Sequence, residues 1–165
     1  MRFYLLILVC TFLSCHPYRG IQQLPWELGH LKKLNNEVVY IPEYLSLGCS
    51  NISNYDGIIP EMAPHDGQAV NYYTNSITAD FMNKNKWPFQ FPEGSIIVKE
   101  KLFSDNNEYG AMFKREKGYD SANSDWEYFY VEKDGKVHRG KLQNCIDCHR
   151  KASNSTFVYG YNTFR

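Results

Sequence analysis

The chain lacks net charge, because 18 Lys and Arg residues balance 18 Asp and Glu residues. Without a field of one sign, neither nucleic acid nor an anionic membrane surface is expected as a partner. The sequence also lacks a membrane-spanning run: the apolar stretch at residues 3–13 is shorter than the roughly 20 residues that a spanning helix needs. No internal repeat is visible, so the 165 residues are expected to form one domain with a single core.

Cysteine is also scarce, with five residues in the chain. Cys10 lies in the apolar N-terminal run, Cys15 follows that run, and Cys145 and Cys148 form a close pair. Cys49 then has no partner, which is typical of a small buried hydrophobe. A framework of structural disulfides is therefore not expected.

The N-terminus has the pattern of an export signal, with Arg2 before the apolar run at residues 3–13. The run ends in Ser14-Cys15, which resembles the end of a bacterial lipoprotein signal. We therefore expect residues 1–14 to be removed and Cys15 to be lipidated, with residues 15–23 as a tether. An ordinary cleaved signal is the alternative; both predict a periplasmic or cell-envelope location, with the membrane contacted only through the lipid.

The motif Cys145-Ile146-Asp147-Cys148-His149 is the most specific feature of the chain. Cys-x-x-Cys-His is the attachment signature of c-type haem. Two thiols on one helical turn can each add to a vinyl group of one porphyrin, and the next imidazole can ligate the iron. The motif therefore predicts one covalent haem c per chain, with His149 as the iron ligand.

The same two cysteines have three alternative uses: a disulfide, a redox dithiol and half of a zinc site. A zinc site needs further Cys or His ligands at recognisable spacing, and no second pair is present in the sequence. A thioredoxin-like dithiol is expected early in a βαβ unit, whereas this motif lies near the end of the chain.

The body of the chain, residues 24–165, reads as an α+β domain dominated by antiparallel strands. Aromatic residues reach 16%, as in many β-rich domains. The patterns predict helices at residues 24–34 and 77–84 and a haem-attachment helix near the C-terminus. Strands are predicted at residues 69–74, 95–103, 109–114, 126–131, from 137 and at 157–159, with an Asp134-Gly135 hairpin turn.

The predicted strand at residues 95–103 has two unlike faces, because side chains alternate along a strand. Ile96 and Val98 point one way, and Ile97, Lys99 and Lys101 point the other. A solvated position is usual for a strand lysine.

Several of these segments together resemble the cytochrome P-460 family, which includes the cytochromes c′-beta. The similar pieces are residues 91–100 (Phe-Pro-Glu-Gly-Ser-Ile-Ile-Val-Lys-Glu), residues 126–129 with the Asp-Gly turn, the haem motif, and Phe157-Val158. The resemblance as a whole covers roughly residues 38–162. The resemblance implies a mainly antiparallel β domain, usually a homodimer, with a five-coordinate haem. It also implies that Lys99 lies near the porphyrin, to which some members cross-link a lysine.

The sequence departs from that family where active members carry a distal carboxylate. Residues 136–144 contain no Asp or Glu, and His138 is the titratable group there near neutral pH. Glu100 or Glu132 is an alternative acid that a strand could bring to the haem. Lys99 and His138 are therefore the candidate catalytic residues.

Three functions follow as hypotheses. The first is binding, sensing or scavenging of a small gas such as nitric oxide by a five-coordinate haem. The second is an oxidoreductase that converts hydroxylamine or nitric oxide. The third, electron transfer with an unidentified redox partner, requires a sixth ligand such as Met62, Met82 or Met112, although methionines are common core residues.

Overall fold

The structure is a computed structural model, and it describes residues 24–41, 69–84, 90–102, 108–152 and 158. Two α-helices are described, α1 at Ser76–Lys84 and α2 at Gln143–Arg150. The strands are β1 Lys32–Lys33, β2 Val39–Tyr40, β3 Ala69–Thr74, β4 Ile96–Lys101, β5 Glu108–Lys114, β6 Trp126–Val131 and β7 Val137–Gly140.

The strands form one antiparallel 7-stranded sheet in the order β1-β3-β4-β5-β6-β7, with β2 also paired to β3. From β4 onward each strand pairs with the next one along the chain, and short connections suffice because the strands are antiparallel. The expected α+β class with a dominant antiparallel sheet is confirmed at this level.

The predicted helix at residues 24–34 is wrong. That segment has only a 3-10 turn at Leu28–His30 before it becomes strand β1. The backbone of this segment pairs with β3 at the edge of the sheet instead, and the Leu34 amide donates a hydrogen bond of 2.8 Å to the Tyr72 carbonyl. Leu24, Leu28 and Leu31 are partly buried and still pack against the core, so the leucine spacing identified core-facing residues but not the backbone conformation.

Helix α1 forms where it was expected, and Asn75 caps its first turn. The side-chain oxygen of Asn75 accepts hydrogen bonds from the Thr78 amide at 3.1 Å and the Ile96 amide at 3.3 Å. This cap therefore also ties the start of α1 to the start of β4.

The predicted hairpin turn between β6 and β7 is confirmed. Gly135 has φ of +82°, a conformation that L side chains rarely adopt. The Glu132 amide donates to the Lys136 carbonyl at 2.9 Å and closes the turn. β7 is thereby returned antiparallel to β6, with Tyr130 opposite His138.

The sheet has a buried cluster on each face, and the side chains of β4 alternate between the two faces as the sequence predicts. One cluster contains Trp26, Ile96, Val98, Ala111 and Phe129. The other contains Phe91, Ile97, Met112, Trp126, Tyr128, Ile146 and Val158. Because Ile146 belongs to α2, we call the second side of the sheet the motif face.

Several sequence predictions lie outside the described residues: the signal and tether at residues 1–23, Cys15, Cys49 and Met62. Of the expected closing strand at residues 157–159, only Val158 is described, and it is buried in the motif-face cluster. Among the described residues, no helix is long and apolar enough to cross a membrane.

Candidate functional site

Helix α2 carries the whole Cys-x-x-Cys-His motif and packs it on the motif face. Ile146 and Cys148 are buried, and Cys145 packs against the same cluster. Both cysteines are free thiols. The helix therefore holds two unlinked thiols three positions apart, with the His149 imidazole directly after them.

Burial raises the pKa of the Cys145 thiol to about 12, and the positive charge of Lys99 partly opposes that rise. The thiol is accordingly protonated at neutral pH. Lys99 and Cys145 lie on the same face of the sheet, because Lys99 alternates with Ile97 of the motif-face cluster and Cys145 packs against that cluster. The structure thus brings to one face two residues that are far apart in the sequence.

Lys99 is buried at 6% exposure, so it is not the solvated strand lysine that its residue type favours. It lies on β4 between Tyr72 of β3 and Gly110 of β5 in the register of the sheet. Side chains two positions apart on a strand point the same way, so the Lys99 side chain lies on the motif face, as that of Ile97 does. Gly110 contributes no side chain beside it.

Tyr128 lies in the middle of β6 with 2% exposure. Its ring is 5.2 Å from the His149 imidazole, centroid to centroid, with 52° between the ring planes. Within the described part of the chain, no group hydrogen-bonds to its hydroxyl. Burial raises its pKa, and the two motif thiols raise it further, so the phenol stays neutral.

His138 lies on β7 and is half-buried, opposite Tyr130. Its Nε2 is paired with the Glu132 carboxylate, and its ring centroid lies 6.4 Å from that of Tyr130. His138 lies on the same face as Lys99, because Lys99, Gly110, Tyr130 and His138 are paired in one row across the sheet. It is at the β7 end of that row.

Glu100 lies on the side of the sheet away from the motif. Its carboxylate accepts a hydrogen bond of 2.8 Å from the Tyr73 hydroxyl and one of 3.3 Å from Asn71. Alternation along β4 separates it from Lys99, its neighbour in sequence. Of the two acids considered as alternatives, Glu132 is engaged with His138 and Glu100 faces away.

A third carboxylate, Glu108, was missed by the sequence reasoning. It is buried at 8% exposure at the start of β5, accepts a 2.7 Å hydrogen bond from the Tyr130 hydroxyl, and lies 3.5 Å from the Lys101 ammonium. Glu108 lies far from the segment just before the motif, where the family resemblance places an acid. Alternation within β4 and β5, together with their register, puts Lys99, Lys101 and Glu108 on one face.

Met112 is a buried member of the motif-face cluster, and Met82 packs against that cluster from α1. Both methionines act as packing residues beside Phe81 and Phe91, whose ring centroids are 6.3 Å apart. The described contacts thus give them the core role that methionine commonly has.

No group of three or more His, Cys, Asp or Glu side chains within the described ranges is arranged to hold a metal ion by itself. A haem iron does not require such a group, because the porphyrin supplies most of its ligands. Comparison of the chain with protein-family models and with curated proteins gives no match.

Proposed function

We propose that this chain is a c-type cytochrome that binds one haem covalently through Cys145 and Cys148, with His149 as the iron ligand. The observation that carries the proposal is a complete attachment motif on one helix, packed against a buried sheet face with both thiols free. When bound, the haem supplies an iron centre that takes a small gas such as nitric oxide. The resemblance to the cytochrome P-460 family supports the same assignment.

The residues present fit this group in chemistry and surroundings. Cys145 is half-buried against apolar and aromatic side chains, which would keep water away from a flat apolar cofactor. His149 is half-buried beside an aromatic ring and adjoins the second cysteine. Lys99 and the Tyr128 hydroxyl add polar groups at the same face.

The chain's residues have separate tasks in this function. The two thiols would hold the cofactor, and the imidazole of His149 would bind its iron. The aromatic cluster of Phe91 and Trp126, with ring centroids 5.6 Å apart, shields the site from water. A neutral gas is suited to such a site because it loses little solvation on entering an apolar pocket.

The test is expression with the haem-maturation machinery, followed by denaturation in acid and organic solvent. Haem should stay with the wild-type polypeptide and be lost from a C145A/C148A double variant. H149A should keep covalent haem with altered iron ligation. His30→Ala is the matched control, since His30 is exposed and paired with Glu27. Freely extractable haem in the wild type would overturn the proposal.

A second candidate function is oxidation of hydroxylamine or nitric oxide with Lys99 cross-linked to the haem. Burial of Lys99 near Cys145 favours it, and Glu108 provides a carboxylate on the same face. A positioned base contributes on the order of a hundred- to ten-thousandfold to a proton-transfer step.

Steady-state hydroxylamine oxidation with an artificial electron acceptor distinguishes the two functions. We expect weak or no turnover for a gas-binding protein. Rapid turnover that is lost in E108Q and kept in E100Q would establish the second function, because Glu100 lies on the opposite face. Mass spectrometry of haem peptides would show whether Lys99 is cross-linked.

We also propose that the protein is held at the bacterial cell envelope through a lipid on Cys15. The support is the sequence of residues 1–15. Mass spectrometry should find a diacylglyceryl-modified Cys15 as the mature N-terminus, and C15S should release the protein from membranes. Sedimentation of the released form would test the homodimer that the family resemblance implies.

A further inference from the structure

The hydroxyl of Tyr128 is the feature of the motif face that packing does not explain. Nearly every buried polar group in a folded protein has a hydrogen-bond partner, so an exception needs a physical reason. Tyr128 has 2% exposure, and no hydrogen bond to its hydroxyl exists among the residues that the structure describes. A phenylalanine would fill the same apolar volume without that cost.

The Tyr128 side chain lies beside helix α2. The Tyr128 ring is 5.2 Å from the His149 ring, and the thiols of Cys145 and Cys148 are near enough to influence its pKa. Tyr128 itself is fixed in the centre of the sheet, paired with Met112 on one side and Gly140 on the other. A side chain with this support can hold another group in a defined orientation.

An iron-ligating imidazole has a second ring nitrogen that carries a proton. That N–H is almost always donated to an oxygen acceptor, which fixes the ring orientation and increases the basicity of the ligand. A tyrosine hydroxyl oxygen has two lone pairs that can accept such a hydrogen bond.

We infer that Tyr128 is a positioning residue for His149: its hydroxyl oxygen accepts a hydrogen bond from the imidazole nitrogen that does not bind the iron. This inference rests on the proposed function, because it assigns His149 as the iron ligand. The bond orients the imidazole and increases electron donation to the iron.

Tyr130 provides a matched control two positions along the same strand. It is also buried at 2% exposure and its side chain is on the same face. Its hydroxyl is already engaged, donating to Glu108 at 2.7 Å. The substitutions Y128F and Y130F therefore each remove one buried hydroxyl from the motif face, and only the first removes the proposed bond to His149.

The experiment compares wild-type, Y128F and Y130F haem proteins by resonance Raman spectroscopy and redox titration. A less basic imidazole bonds iron more weakly and stabilises the ferric state less. Y128F should therefore lower the iron–histidine stretching frequency of the ferrous protein and raise its midpoint potential. Y130F should leave both at wild-type values. Covalent haem on a denaturing gel shows independently whether the proposed function holds in each protein.

Two results would overturn the inference while haem attachment stands. One is a Y128F protein with wild-type stretching frequency and potential. The other is an equal shift in Y130F, which would indicate a general effect of losing a buried hydroxyl.

A measurement on the wild type covers the case in which Y128F does not assemble. In the paramagnetic ferric protein, the non-ligating N–H of His149 should exchange slowly with deuterated water. It should also show a nuclear Overhauser contact to the Tyr128 ring. Rapid exchange, or a contact pattern without Tyr128, would refute the bond.

Discussion

The Tyr130 hydroxyl donates a hydrogen bond of 2.7 Å to the buried carboxylate of Glu108. The other oxygen of that carboxylate lies 3.5 Å from the ammonium of Lys101, which is itself nearly inaccessible to solvent. The ammonium also lies 5.8 Å from the centre of the Tyr130 ring. These three residues form a buried polar cluster on the face that carries the Cys-x-x-Cys-His motif.

We expect E108Q to lower the free energy of unfolding by about 3–5 kcal/mol, the usual cost of breaking a buried ion pair. Glutamine keeps the shape and removes the negative charge that compensates the Lys101 ammonium. Chemical denaturation monitored by circular dichroism gives the value.

The control is E100Q, on the neighbouring strand and the opposite face. Glu100 is only partly buried, and a glutamine oxygen can still accept the hydrogen bond from Tyr73. We expect a loss of about 1 kcal/mol or less. Equal losses of unfolding free energy in E108Q and E100Q would show that the Glu108 ion pair stabilises the fold no more than the Glu100 hydrogen bonds do.

Tyr73 predicts a loss of stability at high pH. Burial, followed by its hydrogen bond to Glu100, raises the pKa of Tyr73 to about 12. An unfolded tyrosine has a pKa near 10. The folded state thus binds the proton more tightly, and the stability this contributes is present below pH ~10 and lost as the pH rises toward ~12.

Y73F should therefore lose less stability than the wild type as the pH rises from about 9 to about 11. Denaturant unfolding at a series of pH values measures the slope. Y40F is the control, since Tyr40 is 68% exposed. If Y73F and Y40F follow the same slope as the wild type, Tyr73 does not carry the alkaline sensitivity.

The strands were predictable because their apolar residues alternate strongly and turn residues separate them. β3, β4, β5 and β6 lie within a residue or two of the expected positions, and the Asp134-Gly135 turn has the expected glycine conformation. These elements depend on local chemistry: pleated alternation, β-branched and aromatic residues, and a glycine with positive φ.

The segment at residues 24–34 was not predictable in the same way. Its leucine spacing fits a helix, but pairing with Thr74 and Tyr73 at the edge of β3 decides the conformation. Such pairing depends on residues about 40 positions away in the sequence. Glu108 was not predicted for a related reason: alternation groups the side chains within each strand, but the register between β4 and β5 is needed to place Glu108 opposite Lys101. The motif itself could be recognised from the sequence because Cys145, Cys148 and His149 lie close together in the chain.

The protein produced without haem should show slow alkylation of Cys145. A pKa of about 12 against the ordinary 9.0 lowers the thiolate fraction near neutral pH roughly a thousandfold. Iodoacetamide labelling followed by mass spectrometry measures the rate, with the urea-unfolded protein as reference.

Replacing Lys99 should slow this labelling further. The positive charge of Lys99 lowers the Cys145 pKa, so K99Q removes a stabilising effect on the thiolate. The expected result is a severalfold slower reaction, whereas K133Q, at an exposed position in the hairpin turn, should leave the rate unchanged. Faster labelling in K99Q without unfolding would contradict the placement of Lys99 beside the thiol.

The last prediction separates gas binding from electron transfer through the methionines. Met112 is buried in the motif-face cluster and Met82 packs against it. Leucine has nearly the same volume, so M112L and M82L should each cost less than about 1.5 kcal/mol. M112A should cost about 2–5 kcal/mol, because it leaves a cavity in the core.

Both leucine variants should retain the visible spectrum of the wild-type ferrous haem protein, with a five-coordinate iron that binds carbon monoxide directly. If Met82 or Met112 were the sixth ligand, the wild-type spectrum would instead be low-spin, and the corresponding leucine variant would abolish that spectrum. Stopped-flow carbon monoxide binding adds a kinetic criterion. A sixth ligand must dissociate before the gas can bind, so its removal would accelerate binding. Unchanged spectra and binding rates in M82L and M112L would assign both residues to core packing and leave the gas-binding function in place.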